Sequence, residues 1–324
     1  MKSIAIRNAI LCVCAWAFIP VVSRFGQTDL NNHQFLFWSS LFSFLALFLV
    51  SWKSGRLNEL KTYRARDWVS ASALGFLGAY LYFLLLYQGY AEGKGMEVLV
   101  IQYTWPIMIA ALAPVILKET LGTRNLVAIS LGFAAVFTVL TRGHYTEFSV
   151  ARPDLMGWVG LGALCFALFC VFSKKIHLEP LTLTMVYFAV ATIASFISMM
   201  ATDGFAMPTT PQSWFIVIAT GFFVNGLSDA LWFWTLRQAP ASFLAPFTFM
   251  TPIVSTGYML IFFNEPFEWA YTGALILIVA AGLVNTLDFS VLRERALRQR
   301  IKRQDQTLPT AKDAFESTIA SSDS

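Results

Sequence analysis

Twice in this chain an apolar run of helical length carries a proline and ends on a glutamate. Pro106 leads to Glu119, and Pro252 leads to Glu265. In each copy the glutamate follows the proline by 13 residues, and the second copy lies 146 residues after the first. A run of about 20 mostly apolar residues, rising about 1.5 Å each as a helix, crosses the hydrocarbon core of a bilayer. Ten runs in the chain reach that length: about 5–24, 34–52, 68–90, 96–117, 124–141, 156–174, 181–202, 213–236, 242–262 and 268–290. Only 13% of the 324 residues are charged. That is about half the share in a soluble globular chain, so lipid is the solvent for most of this one.

The repeat orders the ten runs. At the offset of 146, Trp68 meets Trp214, and Gly75-Phe76 meets Gly221-Phe222, with no gap from the third run to the fifth. The first run aligns at an offset of 150, where Ser23-Arg24 meets Ser173-Lys174. Five spans are therefore followed by five. Because five is odd, the second copy enters the bilayer from the opposite side. This is an inverted-topology repeat, with a substrate site expected near the midplane between the halves and alternating access by rocking of one half against the other. Residues 1–145 and 146–292 are the expected halves, and 293–324 a basic, partly disordered tail. Ten spans put both termini on one side. Nineteen of the 23 Lys and Arg fall on the side of the N-terminus and four on the other. The positive-inside rule then places both termini in the cytoplasm. The first run lacks a small-residue cleavage site and holds Trp16, Phe18 and Pro20, so it reads as a retained membrane helix and not a cleaved signal peptide.

The runs TWPIMIAALAPVILKETLGTRNLVAISLGFAAVFTVL and MTPIVSTGYMLIFFNEPFEWAYTGALILIVAAGLVNT resemble the closing segment of the EamA-type repeat of the drug/metabolite transporter superfamily. The resemblance covers both copies, to about residue 290. It implies an all-α membrane protein of ten helices around a central cavity, lined mainly by spans 1, 3, 4, 6, 8 and 9. It implies a carrier of small molecules rather than an enzyme. Among its branches the chain is most similar to bacterial exporters of aromatic amino acids. Sugars, nucleotide sugars and drugs are substrates of other branches and remain alternatives, with a channel or a membrane enzyme more remote. Pro114 departs from the family pattern by adding a second proline to span four.

Asp229 is the one acid read as lying well inside a span, about 6 Å from its centre, where an ionised carboxylate costs about 2.5–3.5 kcal/mol unless it faces water or a partner. Asn225, Ser228, Asp229 and Trp232 stand at i, i+3, i+4 and i+7, a polar stripe on one helix face. It serves either a substrate ammonium or proton, or an interhelical hydrogen-bond patch. Gln102 and Trp105 share a face of span four beside Pro106, and Tyr82 shares one with Gly78 and Gly75 in span three. Small residues there either let backbones approach or leave room for a ligand. Trp16, Tyr82 and Trp105 are candidates to stack on a flat apolar solute, or else pack helices. Pro106 and Pro252 each delete a mid-helix hydrogen bond, as a hinge or a static kink. Glu119 and Glu265 read as anchors for the helix that follows, in preference to proton coupling.

Arg24 and Lys174 sit near span ends, where they snorkel or meet a substrate carboxylate. His33, His144 and His177 read as solvated, and Cys12, Cys14, Cys165 and Cys170 as buried packing thiols, so no metal is expected. No cofactor is expected, since there is no Gly-Lys-Ser/Thr phosphate loop for ATP and no paired acids or triad for hydrolysis. The basic loops answer to membrane orientation and not to nucleic acid. The partners expected are a small-molecule substrate, the bilayer and, if coupling occurs, protons. Monomer and homodimer both stay open.

Overall fold

The computed structural model describes residues 2–118, 123–140, 152–202, 204–238, 250–263 and 269–286. Glu119, Glu265, His144 and the tail from 293 lie outside them. The described residues form seventeen helical elements in chain order, several of them continuous pieces of one span, with no strand among them. Six are long and apolar enough to cross a membrane, among them Asn32–Lys53, Pro153–Ser173 and Pro180–Ala201. Shorter apolar helices, Thr251–Phe263 and Trp269–Ala281, follow.

Several spans are broken where the sequence suggested continuous helices. The first divides into Lys2–Ala17 and Ile19–Gly26, with a turn at Phe18. Pro20 follows in the first turn of the second piece. A proline has no N–H to give the carbonyl four residues back, so the ladder lapses there. The fourth span divides into Gly95–Gln102 and Trp105–Leu117, with a turn at Tyr103 and Thr104. Pro106 and Pro252 therefore do not sit in mid-helix. Each lies in the opening turn of a helical piece, where the missing N–H is one the helix would leave unbonded anyway.

The third and eighth spans carry a different interruption. Each holds a stretch of π-helix, Gly75–Leu81 in the third and Thr220–Leu227 in the eighth. A π-turn inserts a residue into the α ladder and is found mostly at functional sites. Both stretches open at a close crossing. A Cβ on Gly75 would lie 2.8 Å from the Tyr187 Cα of the seventh span. A Cβ on Gly221 would lie 2.4 Å from Phe42 Cβ and 2.6 Å from the Ser39 carbonyl of the second span. Ser43 donates across the same crossing to the Gly221 carbonyl at 3.0 Å. The second and seventh spans also pack on each other, and the sixth packs on both the third and the fourth. The first span lies against the eighth and ninth. One apolar core joins these, with Phe35, Leu36, Leu86 and Tyr87 almost fully buried. A second core around Leu99, Met259, Tyr271 and Leu275 ties the fourth, ninth and tenth spans together.

Loops outside the spans are pinned by polar contacts. Asp29, just after the first span, accepts from the Thr209 amide at 2.9 Å and hydroxyl at 2.7 Å. Burial alone would raise its carboxyl, but these hydrogen bonds outweigh burial and hold it below the usual carboxylate range. Arg152 grips Asp154 and also reaches Glu92. His33, expected to be solvated, is instead part-buried and within 2.9 Å of the Ser198 hydroxyl.

Candidate functional site

Asp229 is the second residue of the α-helix Ser228–Gln238, where the eighth span leaves its π register. The Trp16 indole Nε1 donates to its Oδ1 at 3.1 Å. Trp232 meets the Trp16 ring edge-on at 5.3 Å and 65°. The carboxylate is thus held at the junction of the first and eighth spans, beside two indoles. Neighbouring contacts fix that junction. Cys12 donates to the Ser228 carbonyl at 3.3 Å, and the Ser228 hydroxyl returns to Val224 at 2.6 Å. Asn225 belongs to the π stretch and donates to the Tyr87 hydroxyl of the third span at 3.3 Å, while its buried Oδ1 has no hydrogen-bond partner among the described residues. The polar stripe read from the sequence therefore divides. Asp229 and Ser228 face the first span, and Asn225 faces the third.

The other candidates gather around Phe166 of the sixth span. Gln102 is 3% exposed, accepts from the Tyr90 hydroxyl at 2.6 Å and donates to the Tyr82 hydroxyl at 3.1 Å. The Tyr82 and Trp105 rings both pack on Phe166, at 4.5 and 5.2 Å. The space that Gly78 opens is not left for a ligand, because the Phe169 ring fills it: a Cβ on Gly78 would lie 2.2 Å from that ring.

Where the first span breaks, its carbonyls turn to a new partner. Ser255 of the ninth span donates to the Ala17 carbonyl at 3.1 Å. Thr251, in the opening turn of the same helix, is buried. Arg24 reaches the Gly93 carbonyl and lies over the Phe263 ring at 4.8 Å.

Glu97 is a further acid, buried at a span edge, whereas Asp229 is the one acid read as lying well inside a span. It is 4% exposed in the first turn of the fourth span and accepts from the Tyr271 hydroxyl at 3.0 Å. In the sequence it is the second residue of the run 96–117, close to Glu92 and Lys94. The helix begins at Gly95, one residue before the run read from hydropathy, so Glu97 lies in its first turn. Phe166 and Ser255 were also missed as contact residues, since ring packing and helix breaks leave no motif. Among the described residues no group of three His, Cys, Asp or Glu could hold a metal. The predicted residues are packed on one another, and the two open cavities described at the surface are lined by others.

A family model, the EamA-like transporter family, matches this chain twice, over residues 3–141 and 156–287. The chain belongs to the EamA-like transporter family. Its EamA relatives include two proteins of Bacillus subtilis (strain 168). "Uncharacterized transporter YyaM" is 24% identical over 73% of this chain and 81% of its own length. "Uncharacterized transporter YvbV" is 26% identical over 56% of this chain and 60% of its own. A solved structure titled only "Crystal structure of protein" has the same fold, with a TM-score of 0.67, 15% identity, and coverage of 87% of this chain and 97% of that one. EamA proteins are membrane transporters, so the chain acts on a small molecule within a bilayer.

Proposed function

We propose that this EamA protein is a secondary carrier that exports aromatic or other hydrophobic amino acids and related small metabolites by alternating access. The observation that carries this reading is the Asp229 carboxylate held beside the Trp16 and Trp232 indoles. A carboxylate binds an α-ammonium group, and indole faces attract a cation while accepting a flat ring. Among the described residues its one hydrogen-bond donor is Trp16, so a second carboxylate oxygen is left for a ligand. The Asn225 Oδ1 adds a free acceptor nearby on the same span. Tyr82 and Trp105, packed on Phe166 of the sixth span, are the aromatic wall in this reading, with Gln102 bonded to Tyr82. A proton exchanged for substrate would load on Asp229.

In this reading residues 1–145 and 146–292 are inverted halves, with both termini on the cytoplasmic face of a bacterial inner membrane. The two π stretches support it, because Gly75–Leu81 and Thr220–Leu227 coincide at the same 146-residue offset to within a residue. The doubled family match supports it as well. Pro106 and Pro252 are the hinges, each opening a helical piece beside a break or polar cluster.

Counterflow of labelled phenylalanine and tryptophan into proteoliposomes tests the carrier, and whole-cell efflux tests the site. Asp229→Asn should lower efflux while insertion and folding are kept. Efflux equal to the parent protein would remove Asp229 from the site. Absence of counterflow across the amino acid panel would remove the substrate class.

A further inference from the structure

The loop that joins the second span to the third is a folded platform. Gly55 turns the chain in the left-handed region, at φ 70°, and the short 3-10 helix Arg56–Thr62 follows. Leu57 and Leu60 pack this helix on the larger apolar core. Tyr63 is buried, with its hydroxyl 3.0 Å from that of Thr182 in the seventh span. The Arg56 guanidinium pairs with Glu179, which precedes the same span. The outward side of the platform is basic. Lys53, Lys61, Arg64 and Arg66 are exposed, and so is Lys175 in the loop that leads to the seventh span. Glu59 is the one acid between Lys53 and Arg66. The depth of these cations follows from where the spans end. Lys53 closes the span Asn32–Lys53, and Arg66 is the second residue of the span Ala65–Glu92, so both stand within a turn, about 5 Å, of the apolar runs. Trp52 is 62% exposed and Trp68 41%, and exposed indoles at the two span ends mark the level of lipid headgroups.

We propose that this platform is a docking site for the phosphate heads of anionic phospholipids. Its cations stand at the depth where those heads lie. Arg64 and Arg66 each present a planar fork of N–H donors that matches a phosphate, and Lys53 and Lys61 add point charges beside them. A zwitterionic head would bring its own ammonium against the same cations, whereas an anionic head brings none. The backbone of the platform is already fixed by Leu57, Leu60 and Tyr63, so little ordering opposes binding. One cation near an anionic surface supplies a factor of about five in affinity. Because the platform is also tied to the seventh span, a lipid seated there stabilises the joint between the second, third and seventh spans. The site stands apart from the Asp229 junction and does not depend on what that junction transports.

A lipid that binds the folded protein raises its thermal midpoint. The detergent-purified full chain is titrated with phosphatidylglycerol and, separately, with phosphatidylcholine of the same acyl chains. The half-maximal rise should come at a roughly fivefold or more lower concentration of phosphatidylglycerol, and the difference should shrink as salt is added. Lys53→Gln, Lys61→Gln, Arg64→Gln and Arg66→Gln together should bring the two lipids to within about twofold of each other. Changing Arg293, Arg295, Arg298 and Arg300 to Gln removes the same number of cations from the tail and should leave the preference intact. If the platform variant does not fold, Lys61→Gln with Arg64→Gln, both outside the spans, should at least halve the preference. Equal half-maxima for the two lipids overturn the proposal, as does a preference unmoved by the platform substitutions. Loss of the preference in the tail variant also overturns it, since total charge would then decide and not the platform. So does an equal rise with glycerol phosphate, which would make this a site for a free anion.

Discussion

The crossing at Gly221 gives the sharpest quantitative test of the packing. Carbon atoms in contact settle at about 3.5–4.0 Å. A Cβ at Gly221 would be 2.4 Å from Phe42 Cβ and 2.6 Å from the Ser39 carbonyl, both part of or next to the backbone of the second span. Neither can rotate away, so the two spans must part by about 1 Å. That opens the Ser43 hydrogen bond to the Gly221 carbonyl, now 3.0 Å. Overpacking of this kind costs about 1–3 kcal/mol, while alanine in place of glycine in a helix returns about 0.5–1 kcal/mol. Gly221→Ala should therefore be destabilised by about 1–2 kcal/mol. Gly157 is the control, a helical glycine with nothing within 4 Å of its notional Cβ. Gly157→Ala should be stabilised by about 0.5–1 kcal/mol. Thermal midpoints of the detergent-purified proteins, read by fluorescence-detected size exclusion, should move in opposite directions. Midpoints that rise together would show that the second and eighth spans do not approach this closely.

Trp16→Phe keeps a ring against Trp232 but removes the hydrogen bond to Asp229. A bond to a charged group contributes about 1.5–3 kcal/mol, so the transport KM should rise roughly tenfold or more in proteoliposomes. An unchanged KM would mean the indole does not position the carboxylate. Gln102→Leu withdraws the acceptor of Tyr90 and the donor to Tyr82, and should lower the thermal midpoint by an amount equivalent to about 1–3 kcal/mol. Tyr82→Phe combined with it should add less than its separate effect, and strict additivity would refute the network. The Asp29 carboxyl is depressed in the folded protein, so its stabilising contribution is complete above the ordinary carboxylate range and is lost as pH falls through the folded value. Hydrogen exchange at the Thr209 amide, corrected for its intrinsic rate, should accelerate over that acidic window and lose this dependence in Asp29→Asn.

The helical membrane fold was legible because lipid leaves a chain few choices. Apolar runs of spanning length are unmistakable, and the paired Pro106 and Pro252 motifs ordered them before any contact was known. Asp229 stood out for the same reason, as an acid where an acid is costly. The breaks were harder. Pro20 and Pro106 mark where a ladder lapses, yet whether a span kinks or splits depends on what its neighbours offer at the break, as Ser255 donates to the Ala17 carbonyl. The π stretches left no trace in periodicity, since one inserted residue looks like noise in a run that is apolar on all sides. Glu97 hid because a carboxylate at a span edge reads as solvated until Tyr271, 174 residues later, is placed against it.

The contacts of the first span set a timetable for assembly. Trp16 meets Asp229 213 residues later, Cys12 meets Ser228 after 216, and Ala17 meets Ser255 after 238. At synthesis rates of about 5–20 residues per second, the first helix waits roughly 10–50 s in the membrane before its partners exist. Through that interval its indole N–H and the loosened carbonyls near Phe18 must be satisfied by lipid heads, water or the insertion machinery. The eighth span then arrives bearing an acid that gains its donor only from a helix already in place. The last third of the chain therefore completes the first span as well as itself, and a truncation before Asp229 would leave an inserted but unfinished helix for quality control to find.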